Sequence, residues 1–219
     1  MNESPGFYSS SVGKKILMAV TGMILFFFVL FHMAGNLQIF IGQEELDRYA
    51  KFLHSVPEIL WLVRIAVTFS FLVHIVAAVQ VWLQSRRARP IRYKVRVNLA
   101  TDMAARTMIW TGPIILLFVL YHLLHLTYGA LYPDLFVEGH VYQNLINSFR
   151  LWPIAVVYIV ANIGLGFHLY HGLWSLTQTL GWTHPRFDRC RRVASAVIGI
   201  GVAAANISIP VSILAGLVR

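Results

Sequence analysis

Nine histidines stand against nine acidic residues in this 219-residue chain. Six of them, His32, His74, His122, His125, His168 and His171, fall inside long apolar stretches. An ionisable side chain at membrane depth is costly and is by default a candidate for function, whether in metal binding, cofactor binding or proton movement. The single cysteine, Cys190, rules out an internal disulfide, a four-cysteine iron-sulfur or zinc site, and the Cys-x-x-Cys-His attachment of a c-type haem. Any haem held here is therefore non-covalent. Cys190 itself is expected to pack at a helix start near the inner surface.

The elements that position these histidines follow from hydropathy. Roughly 20 apolar residues cross a bilayer core, and residues 15–41, 59–84, 104–130, 152–179 and 193–217 all qualify. With 58% of the residues hydrophobic and 12% charged, against about a quarter charged in soluble domains, water is not the main solvent. Phe 14, Trp 6 and Tyr 9 suit a lipid-facing surface with interfacial aromatic belts. The expectation is an all-α integral membrane protein, a single domain over residues 1–219, with five transmembrane helices forming a bundle around the histidines and no soluble domain between them. Lys14 and Lys15 introduce an apolar run too long for a cleaved signal peptide, so the first helix is expected to be retained.

Positive loops stay in the cytoplasm. After the second span come Arg86, Arg87, Arg89, Arg92, Lys94, Arg96 and Arg106 against Asp102, and after the fourth Arg186, Arg189, Arg191 and Arg192 against Asp188. The first loop is acidic (Glu44, Glu45, Asp47, Glu58) with Arg48 and Lys51, and the third has Asp134, Glu138 and Arg150. This distribution predicts a cytoplasmic N-terminus and a C-terminus outside. The net charge of +9 is thus a topology signal with no aromatic-basic motif for nucleic acid, and some of it is available to lipid headgroups or an acidic partner.

At roughly 1.5 Å per residue, counting from the inner end of each span puts His32 and His122 at about 25 Å and His74 and His168 near 15 Å. Four histidines thus form two levels, with two helices contributing to each. Two six-coordinate haems stacked across a membrane need this arrangement, one imidazole on either side of each iron. Cross-helix hydrogen bonding would account for one such histidine, whereas four at two matching depths favour haem. Zinc is the weaker metal, because neither level offers Cys, Asp or Glu nearby. Small residues supply room for a porphyrin: Gly35 near His32, Ala77 and Ala78 after His74, and Gly164 before His168; His122 has no equivalent. His125 and His171 sit three residues beyond their neighbours on roughly the same face, and spacing alone does not choose within each pair. The spare histidines would bond haem propionates or another helix, or pack in the core.

Phe31-His32-Met33-Ala34-Gly35-Asn36 in the first span, Phe167-His168 followed by Gly172-Leu173-Trp174-Ser175 in the fourth, and His54-Ser55-Val56-Pro57 before the second carry a resemblance over nearly the whole chain. The chain resembles the cytochrome b subunit of succinate:quinone oxidoreductases (succinate dehydrogenase and fumarate reductase), in the five-helix, di-haem cytochrome b558 form. The resemblance implies one haem ligand on each of the first four helices, the first paired with the third and the second with the fourth. Matched to the local motifs, the ligands are His32, His74, His122 and His168. The ligand stands four residues before Gly-Leu-Trp, which selects His168, and directly follows an aromatic residue in the third helix, as in Tyr121-His122.

What the resemblance further implies is an anchor in the cell's inner (cytoplasmic) membrane for a flavoprotein and an iron-sulfur subunit, with the succinate-fumarate chemistry on the flavoprotein. The chain's own part would be electron transfer through two haem b groups to or from a quinone, with menaquinone expected. Some family members carry a glutamate two residues before the fourth-helix ligand, proposed to carry protons; here that position is Gly166. The residue three before Pro57 is acidic in some relatives and is His54 here.

A quinone needs an apolar slot, donors for its two oxygens and a proton-exchanging group. Asn36, Gln38, His54 and Glu58 lie near the outer level, and His54 and Glu58 are the candidate catalytic pair, imidazole being suited to proton exchange near neutrality. A solvated loop with Glu58 favoured at a helix start after Pro57 explains the same two residues equally well. The rivals are the cytochrome b subunit of nitrate reductase or formate dehydrogenase, which uses late helices for ligands although the fifth span here has no histidine, and a non-redox transporter, which would need broken helices or paired intramembrane acids. Arg64, the one formal charge well inside a span, is close enough to the outer surface to snorkel.

Overall fold

The computed structural model of the chain describes residues 6–88 and 103–219. Among these residues the only regular structure is helix, with no strand. Seven α-helices follow in order: α1 Ser11–Asn36, α2 Gln43–His54, α3 Pro57–Arg87, α4 Met103–His122, α5 Val141–Phe149, α6 Trp152–Thr179 and α7 Asp188–Leu214. Five stretches are long and apolar enough to cross a membrane: Ser11–Phe40, Pro57–Arg87, Arg106–Thr127, Trp152–Thr179 and Pro185–Leu214. They match the five expected spans, the last starting and ending somewhat earlier. Arg89, Arg92, Lys94, Arg96 and Asp102 lie outside the described residues.

Local chemistry sets the helix ends. Ser10 caps α1 by accepting the Gly13 N–H at 2.9 Å, and prolines occupy the first turn of α3 and α6, where a missing N–H costs nothing. Helix α4 contains Pro113 and runs on into one π-helical turn, Leu123–Thr127. That wider turn carries His125.

The two short helices α2 and α5 are additions to the expected architecture. They pack on each other at one end of the bundle. The Asp47 carboxylate of α2 accepts the Tyr142 N–H at 3.1 Å, so it satisfies one of the amides that the start of α5 leaves open. The best-buried cluster lies at this end. It joins Ile39, Leu46, Tyr142, Leu145, Ile146, Phe149, Ile154, Ala155 and Tyr158 to Ile209 and Ile213 of α7.

Elsewhere the long helices expose large apolar side chains along their length, among them Phe31, Leu62, Ile65, Phe69, Leu117, Val197 and Ile200. Apolar exposure on that scale calls for lipid or a partner. Helix α1 lies along α3, α4 along α6, and α6 along α7, while α1 touches α6. The α6–α7 contact is backbone to backbone: a Cβ on Gly199 would stand 2.7 Å from the Gly166 carbonyl oxygen and 3.1 Å from the Tyr170 nitrogen. Gly166 is buried in that contact, its Cβ position 3.0 Å from the Ala203 Cβ. A carboxylate side chain there would force α7 away.

Cys190 sits at the start of α7 as expected but is exposed rather than packed. Arg64 is exposed and its guanidinium lies over the Trp61 ring, 5.2 Å from the centroid, which stabilises the charge without burying it.

Candidate metal centre

The bundle brings four of the six intramembrane histidines together in two pairs. His32 of α1 faces His122 of α4 with ring centroids 5.8 Å apart and planes at 85°. His74 of α3 faces His168 of α6 with centroids 6.3 Å apart and planes at 58°. Two imidazoles on opposite sides of one metal ion have ring centres about 6 Å apart, from two metal-nitrogen bonds of about 2 Å and about 1 Å more from each nitrogen to its ring centre. Each ring can turn about its own metal-nitrogen axis, so either interplanar angle is compatible. His74 lies beside Met18, Thr21 and Gly22 of α1, ten to fourteen residues before His32, so the two levels are separated by roughly 15 to 20 Å along that helix.

The hydrogen bonds leave the same nitrogen free at three of the four. His74 Nδ1 is 3.1 Å from the Met18 carbonyl oxygen and 3.3 Å from Thr21 Oγ1. A carbonyl only accepts, so Nδ1 carries the proton and Nε2 keeps a bare lone pair. Thr21 donates its own hydroxyl to Leu17 O at 2.7 Å, which leaves its oxygen to accept from His74. His168 Nδ1 is 3.4 Å from Thr111 Oγ1, and His122 Nδ1 is 3.3 Å from the Tyr158 hydroxyl. An imidazole whose Nδ1–H is held by a fixed acceptor is the usual form of a metal-ligating histidine, since the bond sets ring orientation and raises basicity at Nε2.

His125 is different. It is 2% exposed, with Nδ1 at 2.9 Å from the Tyr158 hydroxyl and Nε2 at 2.9 Å from Ser148 Oγ. Both nitrogens are used, which makes it the cross-helix partner among the roles open to it. His32, by contrast, is exposed, and His74, His122 and His168 are half-buried, as suits rings that border a gap between helices.

Among the described residues no group of three or more His, Cys, Asp or Glu converges; the donor sets come in twos. Two imidazoles are too few for zinc, which takes three or four protein ligands. They fit an iron whose other four positions are filled by a macrocycle.

The room for such a ring is not where the small residues predicted it. Gly35 is filled by α2: a Cβ there would be 2.6 Å from Tyr49 Cε1. Gly164 faces Ile114 at ordinary contact distance, and Ala77 is buried. Gly22, absent from the expected set, is the one that admits a candidate ligand, since a Cβ would stand 3.2 Å from His74 Cε1. Thr21, Thr111, Tyr158 and Ser148 were also missed. Their signal was legible for three of them, a hydroxyl inside an apolar span at the depth of a histidine.

His54 and Glu58 are both exposed, at the end of α2 and the start of α3. His54 Nδ1 is 2.8 Å from Ala50 O in its own helix. Neither residue is drawn into a histidine pair, so as a candidate catalytic couple they form an open surface rather than a closed slot. The chain matches no protein-family model, no curated protein and no solved structure.

Proposed function

We propose that this chain is the di-haem cytochrome b membrane anchor of a succinate:quinone oxidoreductase, passing electrons between an iron-sulfur subunit and a membrane quinone, with menaquinone as the expected one. The observation that carries the haem part is the spacing of the two imidazole pairs, 5.8 Å and 6.3 Å between ring centres, on four different helices. The assignment to this class of oxidoreductase rests on the motifs around His32, His54 and His168. Helix α7 carries no histidine, which disfavours the arrangement that recruits ligands from late helices.

When bound, haem b supplies reversible one-electron transfer at its iron. His32 with His122, and His74 with His168, would hold the two groups, one imidazole of each pair coming from either of two helices. Met18, Thr21 and Thr111 orient His74 and His168 through Nδ1. His54, whose Nδ1–H is donated to Ala50 O, keeps Nε2 available to take up or deliver a proton beside a quinone, and Glu58 is the neighbouring acid. The basic end of the bundle, with Arg86, Arg87, Arg186, Arg189 and Arg192, faces the cytoplasm and the soluble subunits. On this reading His74 and His168 would hold the group nearer the soluble subunits, and His32 and His122 the one nearer the opposite surface.

Co-purification from native membranes tests the class. A flavoprotein and a cysteine-rich iron-sulfur subunit bound to this chain are the expected result. Partners of another redox type, or none together with no haem absorption, would contradict it.

A further inference from the structure

The two imidazole pairs are supported by different chemistry. At His74 and His168 the acceptors of Nδ1 are a main-chain carbonyl and threonine hydroxyls. At His122 the acceptor is a phenol, and that phenol is part of a chain: Tyr158 Oη is 3.3 Å from His122 Nδ1 and 2.9 Å from His125 Nδ1, and His125 Nε2 is 2.9 Å from Ser148 Oγ. The Tyr158 ring is fixed by edge contacts with Phe118 and Phe149, at 5.0 and 4.7 Å between centroids, and is buried.

The order of donors follows from the proton count. A histidine that holds a metal through Nε2 carries its one proton on Nδ1, so His122 donates to the Tyr158 oxygen. Tyr158 has a single proton of its own, and the second nitrogen within reach of it is His125 Nδ1. His125 then carries its proton on Nε2 and donates it to Ser148. Each link polarises the one before it, which makes Tyr158 a better acceptor for His122 than an isolated phenol. A stronger acceptor on Nδ1–H raises the basicity of the ligating nitrogen and favours the oxidised metal.

We propose that Tyr158 is a positioning residue for His122 and, through His125 and Ser148, holds the redox potential of the His32–His122 centre below the value it would have without the phenol. This rests on the two-haem reading given above.

The test is a redox titration of the haems in the full complex, comparing wild type with Tyr158→Phe and His125→Leu. The haem of interest is identified as the one that His122→Ala loses. Tyr158→Phe is expected to keep both haems and shift that midpoint upward while the other stays in place. His125→Leu, which keeps the phenol and removes its acceptor, is expected to shift the same haem upward by less. Should Tyr158→Phe fail to assemble, the His125→Leu shift decides. Unmoved potentials, or equal movement of both haems, overturn the inference. A wild-type protein without haem bands would overturn the two-haem reading itself, and the role of Tyr158 with it.

Discussion

His122 and His125 stand three residues apart and both reach the Tyr158 hydroxyl, but His125 has Nε2 bonded to Ser148 while His122 turns its ring toward His32. Spacing in the sequence could not separate them; the resemblance favoured His122, and the tertiary position of α5, which brings Ser148, occupies the second nitrogen of His125. Replacing His122 by Ala is expected to abolish one haem and spare the other, and His168→Ala to do the converse. His125→Ala should retain two low-spin haems. Haem quantification and low-temperature spectra of the three variants check this, and loss of a haem in His125→Ala with both kept in His122→Ala would reverse the assignment. For His54, the expectation is that His54→Ala slows quinone turnover on the order of 100-fold, the usual contribution of a positioned acid or base, with both haem spectra intact. Steady-state quinone kinetics over pH 5 to 8 measure it; unchanged rates would reduce His54 to a surface residue of α2.

The long helices were legible because a bilayer sets their length, and depth brought the histidines of α1 and α4 to one level and those of α3 and α6 to another, the resemblance then choosing His122 and His168 within their pairs. Helices α2 and α5 were not legible: each is short, each lies in a polar connection, and α5 depends on a carboxylate ninety-five residues away for its first-turn amide. Asp47→Ala should therefore lower stability by about 1 kcal/mol, the typical cost of losing a cap, read as a lower melting temperature in detergent. Small residues misled for a related reason, since their sequence positions do not say which helix will fill the space. Gly35 admits Tyr49, while Gly166 and Gly199 admit each other's backbone. Gly199→Ala is expected to cost about 1–3 kcal/mol by overpacking. Gly201→Ala, at a helical site with nothing within 4 Å of its Cβ position, should cost nothing, and equal melting temperatures for the two variants would refute the tight α6–α7 contact.

Charge divides the molecule into two ends, Glu44, Glu45 and Asp47 with α2 at one and Arg186, Arg189 and Arg192 at the other. That division, together with the basic residues of segment 86–106, predicts cross-links from the basic end to an iron-sulfur subunit; cross-links confined to the acidic end would invert the orientation. Both the docking and the electron path presuppose that each imidazole pair holds an iron. Haem content per chain tests this most directly, by acid extraction and a reduced-minus-oxidised difference spectrum of the purified protein. Two extractable haem b groups per chain, with low-spin b-type bands that disappear separately in His122→Ala and His168→Ala, is the predicted result. A purified, folded chain with no haem absorption, or one that keeps both haems when His122 and His168 are replaced together, would contradict it.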